Sequence, residues 1–173
     1  MMDVYIEKTL RHIAAGMVVS HRASTREAGR QLREMAQARG VEVRVAEMMP
    51  TLTVDVGRLE LAFVNLLSNA IKYSDADKAE RYVEVQAEIS ENGVVRIEVR
   101  DNGVGIPAAA LATIFERFTR AHLDQTEFLH VAGIGLGLSI VEDCVRAMGG
   151  RIEAQSVEKQ GTTFILMLPA APA

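Results

Sequence analysis

The sequence predicts an α+β protein, a two-layer α/β sandwich in which a mixed, mostly antiparallel sheet carries helices on one face. Three observations carry that prediction. Residues 58–74 and 135–148 repeat apolar side chains at helical spacing, so each presents a stripe to a core. Val83, Val85, Ala87 and Ile89 alternate with polar neighbours, Asn92-Gly93 supplies a tight turn, and Val95, Ile97 and Val99 alternate back as an antiparallel partner. Strands come in groups with helices beside them, the order expected of a sandwich.

Taken in order, residues 3–15 read as the end of a helix. Ile6, Leu10, Ile13 and Met17 form a coiled-coil-like seam too short to stand alone. Gly16 stops it, and Met17-Val18-Val19 suits a short edge strand. Ser24-Thr25-Arg26-Glu27 has the form of a capping box, opening a helix to Arg39 with Ala28, Leu32, Met35 and Ala36 inward. Gly40 ends that helix, and Val41, Val43 and Val45 alternate as a half-buried strand. A brief strand at 52–54 leads into the helix of 58–74. After the hairpin, 108–118 reads as helical and 119–132 as a polar loop. The helix of 135–148 ends at Gly149-Gly150, and strands at 151–156 and 162–168 close the chain around a turn containing Gly161.

Composition sets the class. At 173 residues, with 49% hydrophobic and 24% charged, the chain is a single domain able to bury a real core. A net charge of −4 with no basic run gives no nucleic-acid surface. The single cysteine, Cys144, sits in an apolar helical pattern and reads as a buried structural thiol. No apolar run is long enough to span a bilayer and no signal peptide opens the chain, so the expectation is a cytoplasmic domain without membrane contact of its own.

Five stretches bear on chemistry. Asn65, Asn69 and Lys72 stand at i, i+4 and i+7 on one side of the second helix. Two carboxamides and an ammonium offer oxygens for a hard cation and a charge for phosphate; a solvated polar stripe would read the same. Asp101-Asn102-Gly103-Val104-Gly105-Ile106-Pro107 follows a strand directly. Its glycines permit close backbone approach to a ligand, although Asp-Asn-Gly is also an ordinary turn. Gly133-Ile134-Gly135-Leu136-Gly137-Leu138 precedes a helix, where free amides and the helix dipole suit an anion, yet a hinge would look alike. Phe115-Glu116-Arg117-Phe118 and Gly161-Thr162-Thr163-Phe164 are, alone, core packing and a strand entry.

The order of these motifs resembles the catalytic and ATP-binding domain of bacterial sensor histidine kinases, within the superfamily shared with gyrase and the heat-shock chaperones. The resemblance spans about residues 25 to 168. It implies the histidine-kinase-type ATPase fold, with residues 1–16 as a remnant of the second dimerisation helix, 17–169 as the catalytic domain and 170–173 as a tail. It implies ATP and Mg2+ as cofactors. Asn69 and Asn65 would hold the metal, Lys72 would reach a phosphate oxygen, and Tyr73 would pack beside the nucleoside. Asp101 would bind the adenine amine, supported by Thr162 through a shared water, with Thr163 beside it. Gly103, Gly105 and Ile106 would run under the base. The loop 119–132 would be a lid anchored by Phe115 and Phe118, and Gly133, Gly135, Leu136, Gly137 and Leu138 would cradle phosphates. Arg117 or Arg120 would neutralise charge on the transferred phosphoryl group.

Two departures from the family pattern stand out. Leu61 occupies a position where the family often has Gln or Glu, and Val131-Ala132 replaces a more glycine-rich lid entry. Family members phosphorylate a histidine followed by an acidic residue. His12-Ile13, His21-Arg22, His122-Leu123 and His130-Val131 all lack that pair. The implied partners are therefore a dimerisation and histidine-phosphotransfer domain and, through the full-length protein, a response regulator. The chain itself is expected to be a monomer or weak dimer, from a parent that could be membrane-anchored. A degenerate regulatory domain and an anti-sigma-type serine kinase share the fold. Gyrase-type relatives carry a glutamate where this chain has Asn65, which implies slow hydrolysis.

Overall fold

The computed structural model describes residues 2–5, 23–47, 50–117 and 135–170. Element β1 (Met2–Tyr5) pairs antiparallel with β3 (Thr51–Val54) in a small sheet of two strands. A main sheet of five strands has the order β2-β4-β5-β7-β6, built from β2 (Val41–Val45), β4 (Arg81–Ile89), β5 (Val94–Asp101), β6 (Arg151–Val157) and β7 (Gly161–Pro169). Only the β2–β4 pairing is parallel; the others are antiparallel. The helices are α1 (Ala23–Arg39), α2 (Val56–Lys72), α3 (Ala108–Leu111) and α4 (Gly137–Ala147). This is the mixed, mostly antiparallel sandwich that the sequence predicts.

Alternation decides which sheet face the helices cover. Val83 and Val85 of β4, Val95, Ile97 and Val99 of β5, and Phe164, Leu166 and Leu168 of β7 are buried. They pack against Leu59, Phe63, Leu66, Leu67, Ala70 and Ile71 of α2 and Val141, Cys144 and Val145 of α4. The opposite face is polar, with Gln86 donating to Glu98 at 2.8 Å and Arg44 lying 4.5 Å over the Tyr82 ring. Asp55 starts α2, its Oδ1 accepting from the Arg58 amide at 3.1 Å. Gly40 ends α1 with φ +61°, a left-handed cap that a Cβ would strain. Cys144 is buried, and burial pushes its thiol above the usual range.

The structure corrects the sequence reading at two places. Residues 3–5, expected in a helix, lie instead in β1. A short stretch containing Val4 and Tyr5 gains more from the ladder offered by β3 than from one unsupported helical turn. The seam residues Ile6, Leu10, Ile13 and Met17 and the strand at 17–19 lie outside the described residues. Helix 108–118 shrinks to the single turn of α3, followed by i to i+3 turns: Thr113 N donates to Ala110 O at 3.0 Å and Glu116 N to Thr113 O at 3.0 Å. That tighter path lets neighbouring Ile114 and Phe115 both reach the core, Phe115 meeting Phe164 edge-on with ring centroids 6.3 Å apart. Among the described residues no helix is long and apolar enough to cross a membrane.

Candidate functional site

Four chain segments converge at one end of the main sheet: the last turns of α2, the end of β5, the start of α4 and the β6–β7 turn. On α2 the apolar stripe faces the core, and the half-buried Asn65 and Asn69 lie beside the start of α4, with half-buried Lys72 at the end of the same helix. Asn65 Nδ2 donates to the Leu61 carbonyl at 2.8 Å, and the side-chain oxygen is thereby left outward. A methyl group built on Gly137 would stand 3.1 Å from Asn65 Oδ1 and 3.9 Å from Asn69 Nδ2. Both carboxamides therefore meet the first turn of α4. The N-cap residue Leu136 makes no side-chain cap at that helix start, where Gly135 takes φ +75° and Ser139 bonds back to the Leu136 carbonyl at 2.9 Å. Uncapped amides at a helix N-terminus beside two carboxamides suit an anion that also binds a hard cation. Among the described residues no cluster of three His, Cys, Asp or Glu offers a cation a site of its own.

At the end of β5, alternation turns Asp101 to the same face as buried Val99. Its Oδ1 accepts from Gly103 N at 2.9 Å and Thr162 N at 3.2 Å. Among the described residues no hydrogen bond reaches Oδ2. Burial pushes the carboxyl up to about 6, against the two amide hydrogen bonds and the Lys78 charge that pull it down. The loop below is welded to its neighbours by backbone. Val104 N donates to Tyr73 O at 2.9 Å, and a Cβ at Gly103 would lie 2.2 Å from that carbonyl. Lys159 N donates to Val104 O at 2.7 Å, while Gly105 takes φ +72° with a Cβ position 2.2 Å from Val157 O. Side chains do not fit at either glycine.

Several expected residues have different duties. Thr162 supports Asp101 with its amide, while its hydroxyl lies 2.9 Å from Ser156 Oγ. Ser156 donates its one proton to Gly161 O at 2.9 Å and accepts from Ile106 N at 2.7 Å, so Thr162 is the donor of that pair. Thr163, expected beside the nucleotide, sits on the sheet's other face: β7 alternates, and inward Thr162 and Phe164 flank it. Leu138 packs against the core, and Ile106 does so with its amide occupied by Ser156. Tyr73 is half-buried and joins the site through its carbonyl. Arg117 reaches Asp143 of α4 at 3.4 Å on an exposed surface. The Lys72 ammonium meets no partner among the described residues, while its carbonyl accepts from Arg39 at 2.8 Å. Phe118, Arg120, Gly133, the loop 119–132 and the histidines 12, 21, 122 and 130 lie outside the described residues.

Sequence reasoning missed Lys78 and Ser156. Lys78 Nζ donates to the Asn102 carbonyl at 2.5 Å and lies 3.5 Å from Gly103 O and 3.4 Å from Gln160 O. Lys78 belongs to no periodic pattern and its partners are as many as 82 residues away, while Ser156 reads in the sequence only as an alternating strand residue. Asn102 was legible only as a turn residue. Its carboxamide bridges Tyr82 N at 3.0 Å and Glu80 O at 2.9 Å, fixing the turn to the start of β4.

A half-buried carboxylate with one open oxygen, a glycine turn pressed against neighbouring backbone, and paired carboxamides facing a helix start stand together at this end of the sheet. Comparison with known proteins gives the family. Residues 54–172 match the histidine kinase-, DNA gyrase B- and HSP90-like ATPases, and the chain belongs to that family. It is similar to sensor protein kinase WalK of Staphylococcus saprophyticus subsp. saprophyticus, 38% identical over 128 residues, 70% of this chain and 20% of that protein. WalK of Staphylococcus aureus is 39% identical over 118 residues, 66% of this chain and 27% of that sequence. The chain thus spans between 20% and 27% of these two curated relatives. Among solved structures, the mycobacterial sensor histidine kinase MprB is 28% identical with a TM-score of 0.68, over 87% of this chain and 97% of that one. Full-length ShkA in complex with AMPPNP is 29% identical with a TM-score of 0.73, over 99% of this chain and 31% of that one.

Proposed function

We propose that this chain is the ATP-binding catalytic domain of a two-component sensor histidine kinase, presenting the γ-phosphate of ATP to a histidine on a dimerisation domain. The observation that carries the reading is Asp101, whose Oδ1 is fixed by Gly103 N and Thr162 N while Oδ2 is open. Such a carboxylate suits an exocyclic amine, and the backbone of Gly103 and Gly105 suits a flat base lying close above it. Tyr73 flanks the nucleoside. The triphosphate extends toward Asn65, Asn69 and Lys72, where the amides of Gly137 and Leu138 meet its charge.

The carboxamide oxygens of Asn65 and Asn69 fit Mg2+ held jointly with phosphate, since Asn65 has its nitrogen tied back and its oxygen outward. When bound, that ion supplies neutralisation of phosphate charge during transfer. The chain's own part is positioning and electrostatics, which dominate phosphoryl transfer. Arg117 is available to the transferred group because an exposed ion pair with Asp143 is cheap to break. The likeness to WalK and MprB supports a sensor kinase over a serine kinase of the same fold. The full-length protein then passes the phosphoryl group to a response regulator on the cytoplasmic side.

Calorimetric titration with ADP and AMPPNP, with and without magnesium, tests the site on this chain and on Asp101→Asn. Saturable binding that the substitution abolishes supports it, and no binding by the unmutated chain overturns it. Adding a dimerisation domain in trans then tests the transfer: an acid-labile phosphate is expected, and an acid-stable one would reassign the acceptor to serine.

A further inference from the structure

The turn after Asp101, with the Asn102 and Gly103 carbonyls, and the β6–β7 turn, with that of Gln160, direct three backbone carbonyls toward one point. Lys78 fills it, at 2.5, 3.5 and 3.4 Å respectively. An ammonium has three donors and no acceptor, so it matches a cage of carbonyls that no neutral side chain of similar size could satisfy. Lys78 is itself held. Its carbonyl accepts from Arg81 Nε at 3.2 Å, and Arg81 Nη1 donates to the Arg39 carbonyl at 2.6 Å, which ties this loop to the end of α1. The cage joins two chain segments far apart in sequence, the glycine turn after β5 and the β6–β7 turn.

We propose that Lys78 is a positioning residue for nucleotide binding: it clamps these two turns together and sets a positive charge beneath Asp101, so that the open oxygen is presented as an ionised acceptor. The inference rests on the nucleotide-binding reading above. The charge matters because little else near Asp101 carries one. β7 contributes the Thr162 amide, β6 the Ser156 hydroxyl next to it, and the end of α2 the Tyr73 carbonyl. Among the described residues Lys78 is the sole charged side chain acting on that carboxylate. Its removal lets burial raise the Asp101 carboxyl further, and a protonated Asp101 would face the adenine amine with a donor. The sign is fixed: affinity is kept above the Asp101 midpoint and lost as pH falls through it, and without Lys78 that loss begins at higher pH.

The test uses Lys78→Met, which keeps length and removes charge, and Lys78→Arg, which keeps charge. Two quantities are read: ADP affinity across pH by calorimetry, and the Asp101 carboxyl midpoint by NMR titration without nucleotide. We expect Lys78→Met to move the midpoint upward and weaken ADP roughly tenfold near pH 7, about the worth of one charge-assisted hydrogen bond. Lys78→Arg restores most of both. An unmoved midpoint overturns the proposal, as does an affinity loss equal at all pH values that arginine fails to rescue, because that marks a merely structural clamp. Failure of the unmutated chain to bind ADP would instead sink the nucleotide reading, while the Asp101 titration still judges the effect of Lys78.

Discussion

Asp101→Asn should make this domain more stable while destroying its site. The Asp101 carboxyl stands at about 6 in the fold against 3.8 in an unstructured chain, raised chiefly by burial. The folded state therefore binds the proton more tightly than the unfolded one. Stability falls as pH rises from 3.8 to about 6, and the full cost is present above that window. At about 1.4 kcal/mol per pH unit, the ionised group costs the fold about 3 kcal/mol at neutral pH. Asparagine removes the charge and keeps an Oδ1 to accept from Gly103 N and Thr162 N. Up to that amount is recovered, several degrees in melting temperature for a domain of this size. Thermal unfolding of both chains at pH 7.5 and pH 4 is the assay. The variant should melt higher at pH 7.5, the gap should nearly close at pH 4, and ADP binding should be gone because an amide donor now faces the adenine amine. A variant that melts lower at pH 7.5 would refute the reasoning, since Asp101 would then stabilise the turn rather than strain it electrostatically.

Gly103→Ala places a methyl 2.2 Å from the Tyr73 carbonyl, so the loop must part from α2; we expect a loss of about 2–3 kcal/mol in urea unfolding, together with loss of ADP binding. Asn69→Ala should leave magnesium-free ADP binding within about twofold and remove most of the gain that magnesium gives, as measured by calorimetry, because one carboxamide ligand is deleted. Arg117→Ala should change stability by less than about 1 kcal/mol, since its bond to Asp143 joins side chains 70% and 56% exposed, whereas phosphate transfer in trans should slow. Leu61→Gln should leave ADP affinity unchanged within about twofold in the same titration.

The helices and strands were legible because their periodicities are imposed by a one-sided core. Leu59, Phe63, Leu66, Leu67 and Ala70 recur on α2 because that face is buried, and Val95, Ile97 and Val99 alternate because only one face of β5 is. Local signals are weaker where tertiary contacts decide. Val4 and Tyr5 fall in the stretch that the sequence reads as a helix end, but the strand that pairs with them, at Thr51 and Leu52, lies far along the chain. Residues 112–117 have a helical composition, yet the chain there closes i to i+3 turns, with Ile114 buried in the core and Phe115 set edge-on against Phe164 of β7, a contact made far along the chain. In the site, Asp101, the glycines and the asparagines stand in order along the chain and could be read there. Lys78 and Ser156 could not, because their work is to join backbone groups that only the folded chain brings together.

Leu61 shows how a departure from a family pattern can be weighed by geometry. A polar side chain at that position would add a contact beside Asn65, and its absence would suggest a decayed site if Asn65 depended on it. Asn65 instead takes its orientation from the Leu61 carbonyl, at 2.8 Å, one helical turn back. Every residue type supplies that carbonyl, and the helix holds it in place through the burial of Leu59, Ala62 and Phe63 around it. The Leu61 side chain takes no part in that bond and, at 46% exposed, is not among the buried core residues. What orients the Asn65 carboxamide is thus the register of α2 against the sheet, and that register is set by the same buried stripe that made the helix recognisable.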